Sequence, residues 1–289
     1  PMIRACRRVA ARHPEVKIFN CSVCMPYTEI RTYYSRIYEG KFISGAIAGA
    51  ITESDDIGYI ASYPIYGVPA GINAFALGAQ LTRRNAKIHL KWSCTAGDPM
   101  KELREKNIDV ISSLDIPQQT CQDGQWGTFQ LSSNGEPELI VSPYWDWGAF
   151  YVQITRSFLS REWDASIFGK REDHAVNYWW GIASGVVGLR WTEKIPDGTK
   201  ALANLLKEGI KAGTVDPFLR KIVSQDAVIR SDGKKVFTAE EILRMDWLCE
   251  NVYGSIPDFD ELSEKGQAIT RLQGIYRDQI PPSKACDQI

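Results

Sequence analysis

Nowhere does this sequence hold an apolar run near the roughly 20 residues that span a bilayer, and its N-terminus lacks the basic, apolar and small-residue order of a secretory signal. Charge of one sign is missing too. Against 34 Lys and Arg stand 35 Asp and Glu, and a net charge of −1 gives no electrostatic reason to expect nucleic acid or an anionic membrane as partner. Histidine is scarce: His13, His89 and His174 lie far apart, with none of the helical spacing that holds a metal. A P-loop and a Gly-x-Ser-x-Gly elbow are both absent, so catalysis has little support and no cofactor or metal is called for. The seven cysteines are odd in number and follow no framework, which fits a reducing compartment better than a disulfide-stapled exported domain. Cys21-Ser-Val-Cys24 is a lone CxxC with no second pair, and two ordinary thiols at a strand end are expected there.

What is present is a chain of 289 residues, 44% hydrophobic and 24% charged, long enough to bury a sizeable core in two lobes. Residues 33–80 organise it. Positions 33–52 place Phe42, Ile43, Ala46, Ile47, Gly49 and Ala50 at helical spacings that make a broad apolar face. The glycines in that run cost helix propensity, about 1 kcal/mol each relative to alanine, which close packing against a sheet would offset. Residues 57–62 carry no charge and read as a strand covered on both faces. A Pro/Gly loop and a second small-residue helix over 68–81 follow.

The remaining pattern alternates. Helices are expected at 2–13, 99–106, 148–160, 200–212, 238–252 and 258–279. Strands are expected at 16–20, 87–92, 109–113, 128–132, 139–142, 175–180 and 186–191. Hairpins are expected around Asn134-Gly135, between the strands at 128–132 and 139–142, and around Asp232-Gly233, and Thr238 with Glu241 forms a capping box. This rhythm argues for an α/β fold with parallel sheets and helices on both faces.

Several motifs together resemble a known family. Tyr38-Glu-Gly-Lys-Phe-Ile-Ser-Gly-Ala-Ile-Ala-Gly49, Gly71-Ile-Asn-Ala-Phe-Ala-Leu-Gly-Ala79, Trp145-Asp-Trp-Gly148, Tyr178-Trp-Trp-Gly181 and Met245-Asp-Trp247 with Gly254-Ser-Ile-Pro257 look like the basic membrane protein (Bmp/PnrA-like) family. The resemblance implies a type I periplasmic-binding-protein fold: two Rossmann-like lobes with parallel sheets and a ligand cleft between them. Its members are substrate-binding components of ABC transporters, often lipoproteins, and the characterised ones bind purine nucleosides. It further implies that 1–56 and 143–163 belong to the N-terminal lobe, 57–142 and 174–237 to the C-terminal lobe, and 238–289 to a helical segment packed on both. The strands that open the first lobe in family members have no counterpart here, so the resemblance reads the chain as N-terminally incomplete.

In such sheets ligands bind beyond the carboxyl ends of strands. Tyr63 and Tyr66 follow one strand, Trp92 and Asp98 the next, and Trp145, Asp146 and Trp147 mark the return to the first lobe. The aromatics offer faces for a planar base; Asn73, Asp98 and Asp146 offer hydrogen bonds. Each has a plainer reading: Asn73 as a buttress, Asp98 as a helix N-cap before Pro99, Asp146 as a hinge tie. Trp180 and Ser184 complete the candidate set by resemblance. Ser184 stands where many members carry an Asp, and Ser132 to Asn134 where members place an acidic segment, so carboxylates that grip ribose would be replaced by neutral groups. The expected function is therefore ligand delivery to a membrane permease on the extracytoplasmic face of the plasma membrane, with a nucleoside as ligand. The alternative is a cytoplasmic ligand-sensing domain of a longer protein.

Overall fold

A computed structural model of the protein describes residues 2–22, 30–113, 126–132, 134–160 and 178–275, without the side chains of residues 3 and 4. Two sheets organise it. The smaller has three parallel strands, β1 (Ile18–Cys21), β2 (Ile30–Ser35) and β8 (Tyr178–Trp180), in the order β1-β2-β8. Helix α1 (Ile3–Arg12) covers one face through Ala10 and Cys6 on Ile30 and Ile18. Helix α5 (Trp147–Leu159) covers the other, where Phe150 and Ile154 pack on Tyr33 and Tyr178.

The larger sheet has seven strands in the order β12-β4-β3-β5-β6-β7-β9. Its members are β3 (Asp56–Ala61), β4 (Lys87–Trp92), β5 (Val110–Ser113), β6 (Gly127–Leu131), β7 (Pro137–Trp145), β9 (Val187–Trp191) and β12 (Val252–Tyr253). From β12 to β5 the pairing is parallel; from β5 to β9 it is antiparallel, so the sheet is mixed, with the expected hairpin of residues 128–132 and 139–142 in its antiparallel part. Residues 127–132 and 134–145 form a hairpin around Asn134-Gly135, which makes β6 and β7 antiparallel to each other.

The uncharged residues 57–61 of β3 are buried as expected. Helix α4 (Pro99–Arg104) covers one face with Leu103 on Ile60, Ile111 and Phe129. On the opposite face lie α2 (Ile37–Ile51) and α3 (Val68–Thr82), whose backbones touch. A Cβ on Gly45 would sit 2.0 Å from the Phe75 carbonyl oxygen, and one on Gly78 2.0 Å from that of Phe42. The small residues in both helices are thus the condition of this contact. Thr82 Oγ1 adds a hydrogen bond to the Ala46 carbonyl at 2.9 Å, and Arg83 Nη2 one to Thr52 at 2.5 Å.

Several expected boundaries move. Residues 33–35 end strand β2 and do not begin α2, because they pair with Tyr178–Trp180. The Asp232-Gly233 turn follows the hairpin strands β10 (Lys221–Val223) and β11 (Ile229–Asp232) and does not join them; residues 224–228 do. The Thr238–Glu241 capping box forms, yet its helix α7 (Ala239–Leu243) stops after five residues, since the next segment is drawn into hydrogen bonds with Asn73. The last expected helix begins late, with a 3-10 turn at Phe259–Glu261 before α8 (Glu264–Gln273). Helix α6 (Asp197–Lys211) ends ahead of Gly213 at φ 71°, as its sequence indicates.

Strands β1 and β2 lie in the small sheet, but α2, expected with them, is built into the larger core beside α3 and β7. Strand β8, expected in the C-terminal lobe, pairs in the small sheet, and β7 extends the larger sheet to Trp145. Gly45→Ala or Gly78→Ala should destabilise the protein by about 1–3 kcal/mol or more through forced separation of α2 and α3. Urea unfolding checks this; a wild-type midpoint in both variants would contradict the contact.

Candidate functional site

The chain passes between the two sheets three times among the described residues, and the passages lie side by side. The first runs from Ser35 to Ile37, the second from Trp145 to Trp147, the third from Trp180 to Val187. Backbone hydrogen bonds join them: Arg36 N donates to the Trp180 carbonyl and Asp146 N to that of Val186, both at 2.8 Å. Arg36 Nε donates to the Trp179 carbonyl at 2.9 Å, and Trp145 Nε1 to Ser35 Oγ at 2.5 Å. Three narrow, mutually bonded strands of chain between two packed cores have the form of a hinge.

A buried carboxylate sits at this junction. Glu39, in the first turn of α2 and 5% exposed, accepts a hydrogen bond from Ile182 N at 2.7 Å and faces Arg36 Nη1 at 3.7 Å. A side chain at position 181 would collide with it, a Cβ falling 2.2 Å from Glu39 Oε2, which accounts for glycine there. Burial pushes the Glu39 carboxyl up from its ordinary value, opposed by the Ile182 N–H and by Arg36.

Aromatic rings wall the same place. Trp145 lies nearly parallel to Trp147, with centroids 6.2 Å apart and planes at 21°, and tilts against Trp126 at 5.7 Å. Trp147 meets Tyr33 and Phe150 edge-on, and Trp126 Nε1 donates to the Pro143 carbonyl at 2.9 Å. Beyond Trp126 lies Lys41, 1% exposed, its ammonium 5.6 Å from the Trp126 ring and 5.1 Å from that of Tyr59. A narrow cavity adjoins it, bordered by Tyr34, Ser35, Lys41, Tyr66, Trp179 and Leu243.

The ten residues marked in the sequence are distributed unevenly around this site. Trp145 and Trp147 form the wall and Tyr66 borders the cavity. Asp146 is exposed and caps α5 by accepting from Ala149 N at 2.9 Å. Trp180 packs edge-on against Phe150 at 5.1 Å, and Ser184 Oγ donates to the Gly181 carbonyl at 2.9 Å. Tyr63 is half-buried against the main core. Asp98 is the exposed N-cap of α4, accepting from Met100 N and Lys101 N at 3.1 Å. Trp92 is buried with Nε1 on the Ser255 carbonyl at 2.8 Å. Asn73 is fully buried, donating to the Trp247 carbonyl and accepting from Cys249 N, both at 2.9 Å. Its amide is spent on holding the chain after α7, which is the buttressing role.

The loops after β3 and β4 are clasped by the C-terminal segment. Tyr66 N donates to Gln273, Ile275 N to Pro64 and Ser263 N to Cys94. Trp126, Lys41, Ser35 and Glu39 escaped the sequence reading. The signals were a tryptophan beside a polar loop and two charges inside an otherwise apolar helix. No group of three or more His, Cys, Asp or Glu able to hold a metal occurs among the described residues. Burial pushes the Cys94 thiol up to about 11 and that of Cys249 up to about 12, away from nucleophilic use. Cys21 is exposed, and Cys24 lies outside the described residues.

Residues 2–211 match the profile of the family described as ABC transporter substrate-binding protein PnrA-like, or Bmp. The chain belongs to that family. It is 28% identical over 232 residues to a purine-binding protein of Brucella abortus, covering 76% of this chain and 63% of that one. It is 27% identical over 222 residues to a putative ABC transporter glucose-binding protein, TsgA13, of Haloferax volcanii, covering 72% and 54%. The chain thus spans less than two thirds of the length of either relative. Among solved structures it resembles an ABC transporter solute-binding protein from Conexibacter woesei, with 12% identity, a TM-score of 0.50, and 72% and 73% of the two chains covered. It also resembles a transcriptional activator of the comK gene from Bacillus halodurans, with 17% identity, a TM-score of 0.53, and 71% and 74% covered. The fold is that of the type I periplasmic-binding proteins, and no described helix is long and apolar enough to cross a membrane.

Glu39 gives a pH test of the junction. An acid whose folded value is raised binds its proton more tightly in the folded chain. Its contribution is therefore fully present below the ordinary 4.5 and is lost as pH rises through the folded value. Glu39→Gln keeps an acceptor for Ile182 N–H and removes that loss. The stability of the variant relative to wild type should grow with pH above 4.5. Urea unfolding of both proteins from acid to neutral pH checks it; a pH-independent difference would contradict the burial argument.

Proposed function

We propose that the protein is the ligand-binding component of an ABC-type transporter and holds a purine nucleoside, or a close analogue, at the crossover between its lobes. The observation that carries this reading is the aromatic wall of Trp126, Trp145 and Trp147 at the passages between the two sheets. Flat indole faces suit a planar base, and a base stacked on one of them gains about 1–3 kcal/mol. The cavity beside the wall is narrow, so the ligand enters with the lobes apart and is enclosed as they swing about the three passages. The purine-binding relative from Brucella abortus supports the ligand class. In this reading the partner is a membrane permease, the protein works on the extracytoplasmic face of the plasma membrane, and the reaction is binding and release.

Addition of a purine nucleoside at a hundredfold excess over its dissociation constant should stabilise the protein by about 3 kcal/mol. Thermal unfolding across purine nucleosides, free bases and sugars, glucose included, checks this. A shift with glucose alone, or with nothing in the panel, would overturn the nucleoside assignment. Trp145→Ala and Trp147→Ala should each weaken binding by about 1–3 kcal/mol while the folded protein survives. Loss of folding in both would assign these rings to the core.

A further inference from the structure

Strands β2 and β8 set Tyr34 directly opposite Trp179, so both side chains lie on one face of the smaller sheet. Tyr33 and Tyr178, one place before them, are paired in the same way and pack on Phe150 of α5. Because side chains alternate along a strand, Tyr34 and Trp179 point to the opposite face, the one on which Ile30 meets Ala10 of α1. There Leu243, 3% exposed and the last residue of α7, packs on both rings.

That leucine is anchored on the other side of the junction. Its carbonyl accepts from Gly67 N at 2.8 Å, and its neighbour Ile242, equally buried, belongs to the main core. The Thr238–Glu241 box fixes the start of α7, and Asn73 holds the chain beyond it at Trp247 and Cys249. The backbone of α7 therefore moves with α3, while the Leu243 side chain reaches across to the smaller sheet. The same residues border the narrow cavity: Leu243, Gly67 and Val68 from the larger core, Tyr34, Ser35 and Trp179 from the smaller sheet.

We propose that Leu243 is a latch that holds the two sheets closed in the unliganded protein and releases when a ligand enters. This rests on the reading above in so far as the sheets swing about the three passages, and not on which ligand is bound. Swinging them apart draws Tyr34 and Trp179 off Leu243 and returns apolar surface to water, so the contact favours the closed arrangement before any ligand arrives. An apolar contact also has no directional demand. It opens without leaving a buried polar group unpaired, which suits a contact made and broken in every cycle.

The first test needs no ligand: small-angle X-ray scattering of wild type, Leu243→Met, Leu243→Ala and Trp179→Ala, with hydroxyl-radical footprinting to read the exposure of Tyr34 and Tyr66. Wild type and Leu243→Met should scatter as one compact form, since leucine and methionine fill similar volumes. Leu243→Ala and Trp179→Ala should give a larger radius of gyration and stronger modification of both tyrosines. Leu103→Ala, which truncates a buried side chain under α4, is the control; it should lower the melting temperature and leave scattering and footprint as in wild type. An expanded wild type, or a compact Leu243→Ala with an unchanged footprint, would overturn the latch. Should one of the two truncations fail to fold, the other decides; failure of both would assign the contact to the core and overturn the latch as well. Stopped-flow binding of inosine and adenosine adds a kinetic signature. Loosening a latch raises the open fraction, so Leu243→Ala should both bind and release faster, with association quickened about tenfold. Faster release alone would make Leu243 a ligand contact instead. Binding of neither nucleoside would overturn the nucleoside assignment and leave the latch to the scattering result.

Discussion

The contact between α2 and α3 is the constraint on which the rest depends. Gly45 and Gly78 let two helix backbones meet with no side chain between them, and this fixes α2 against the face of the larger sheet. At its first turn α2 carries Glu39 to the third passage between the sheets; within the next turn it carries Lys41 to the aromatic wall. The hinge and the site thus share one rigid element. A shift of α2 moves both together.

That helix also shows how the fold tolerates charge inside. Glu39 and Lys41 are both nearly without exposure. An isolated buried ion is costly, and the usual outcome is a partner or a shifted ionisation. Glu39 takes both routes: a backbone N–H and Arg36 face it, and its carboxyl is raised by burial. Lys41 lies over the faces of Tyr59 and Trp126, where the ring quadrupoles favour a cation. Glu39 lies at the third passage between the sheets and Lys41 borders the cavity beside it.

Most elements were legible in the order of residues. The small-residue helices, the apolar strand β3 and the Thr238–Glu241 cap stand where local chemistry puts them. What local chemistry missed had partners far along the chain. Residues 33–35 look helical beside α2 but become strand because Tyr178–Trp180 arrives to pair with them. Asn73 offers the same amide in a cleft or in a core, and only the arrival of Trp247 and Cys249 decides for the core. Trp92 has the same history with Ser255. Lys41 stands in the sequence as a charge inside an apolar helix, and only the arrival of Trp126, far along the chain, shows what its ammonium packs on.

By itself the sequence determined the α/β class, the two glycine-bearing helices, the family and the crossover motif around Trp145. Each follows from residue type at short spacing or from a run of motifs in a fixed order. The tertiary structure alone decided which core α2 packs into, which aromatic rings face one another, and which hydrogen bonds Asn73 and Trp92 make. Those are outcomes of long-range pairing and burial, and a hydrogen bond such as that from Trp145 to Ser35, 110 positions apart, leaves no local trace in the chain.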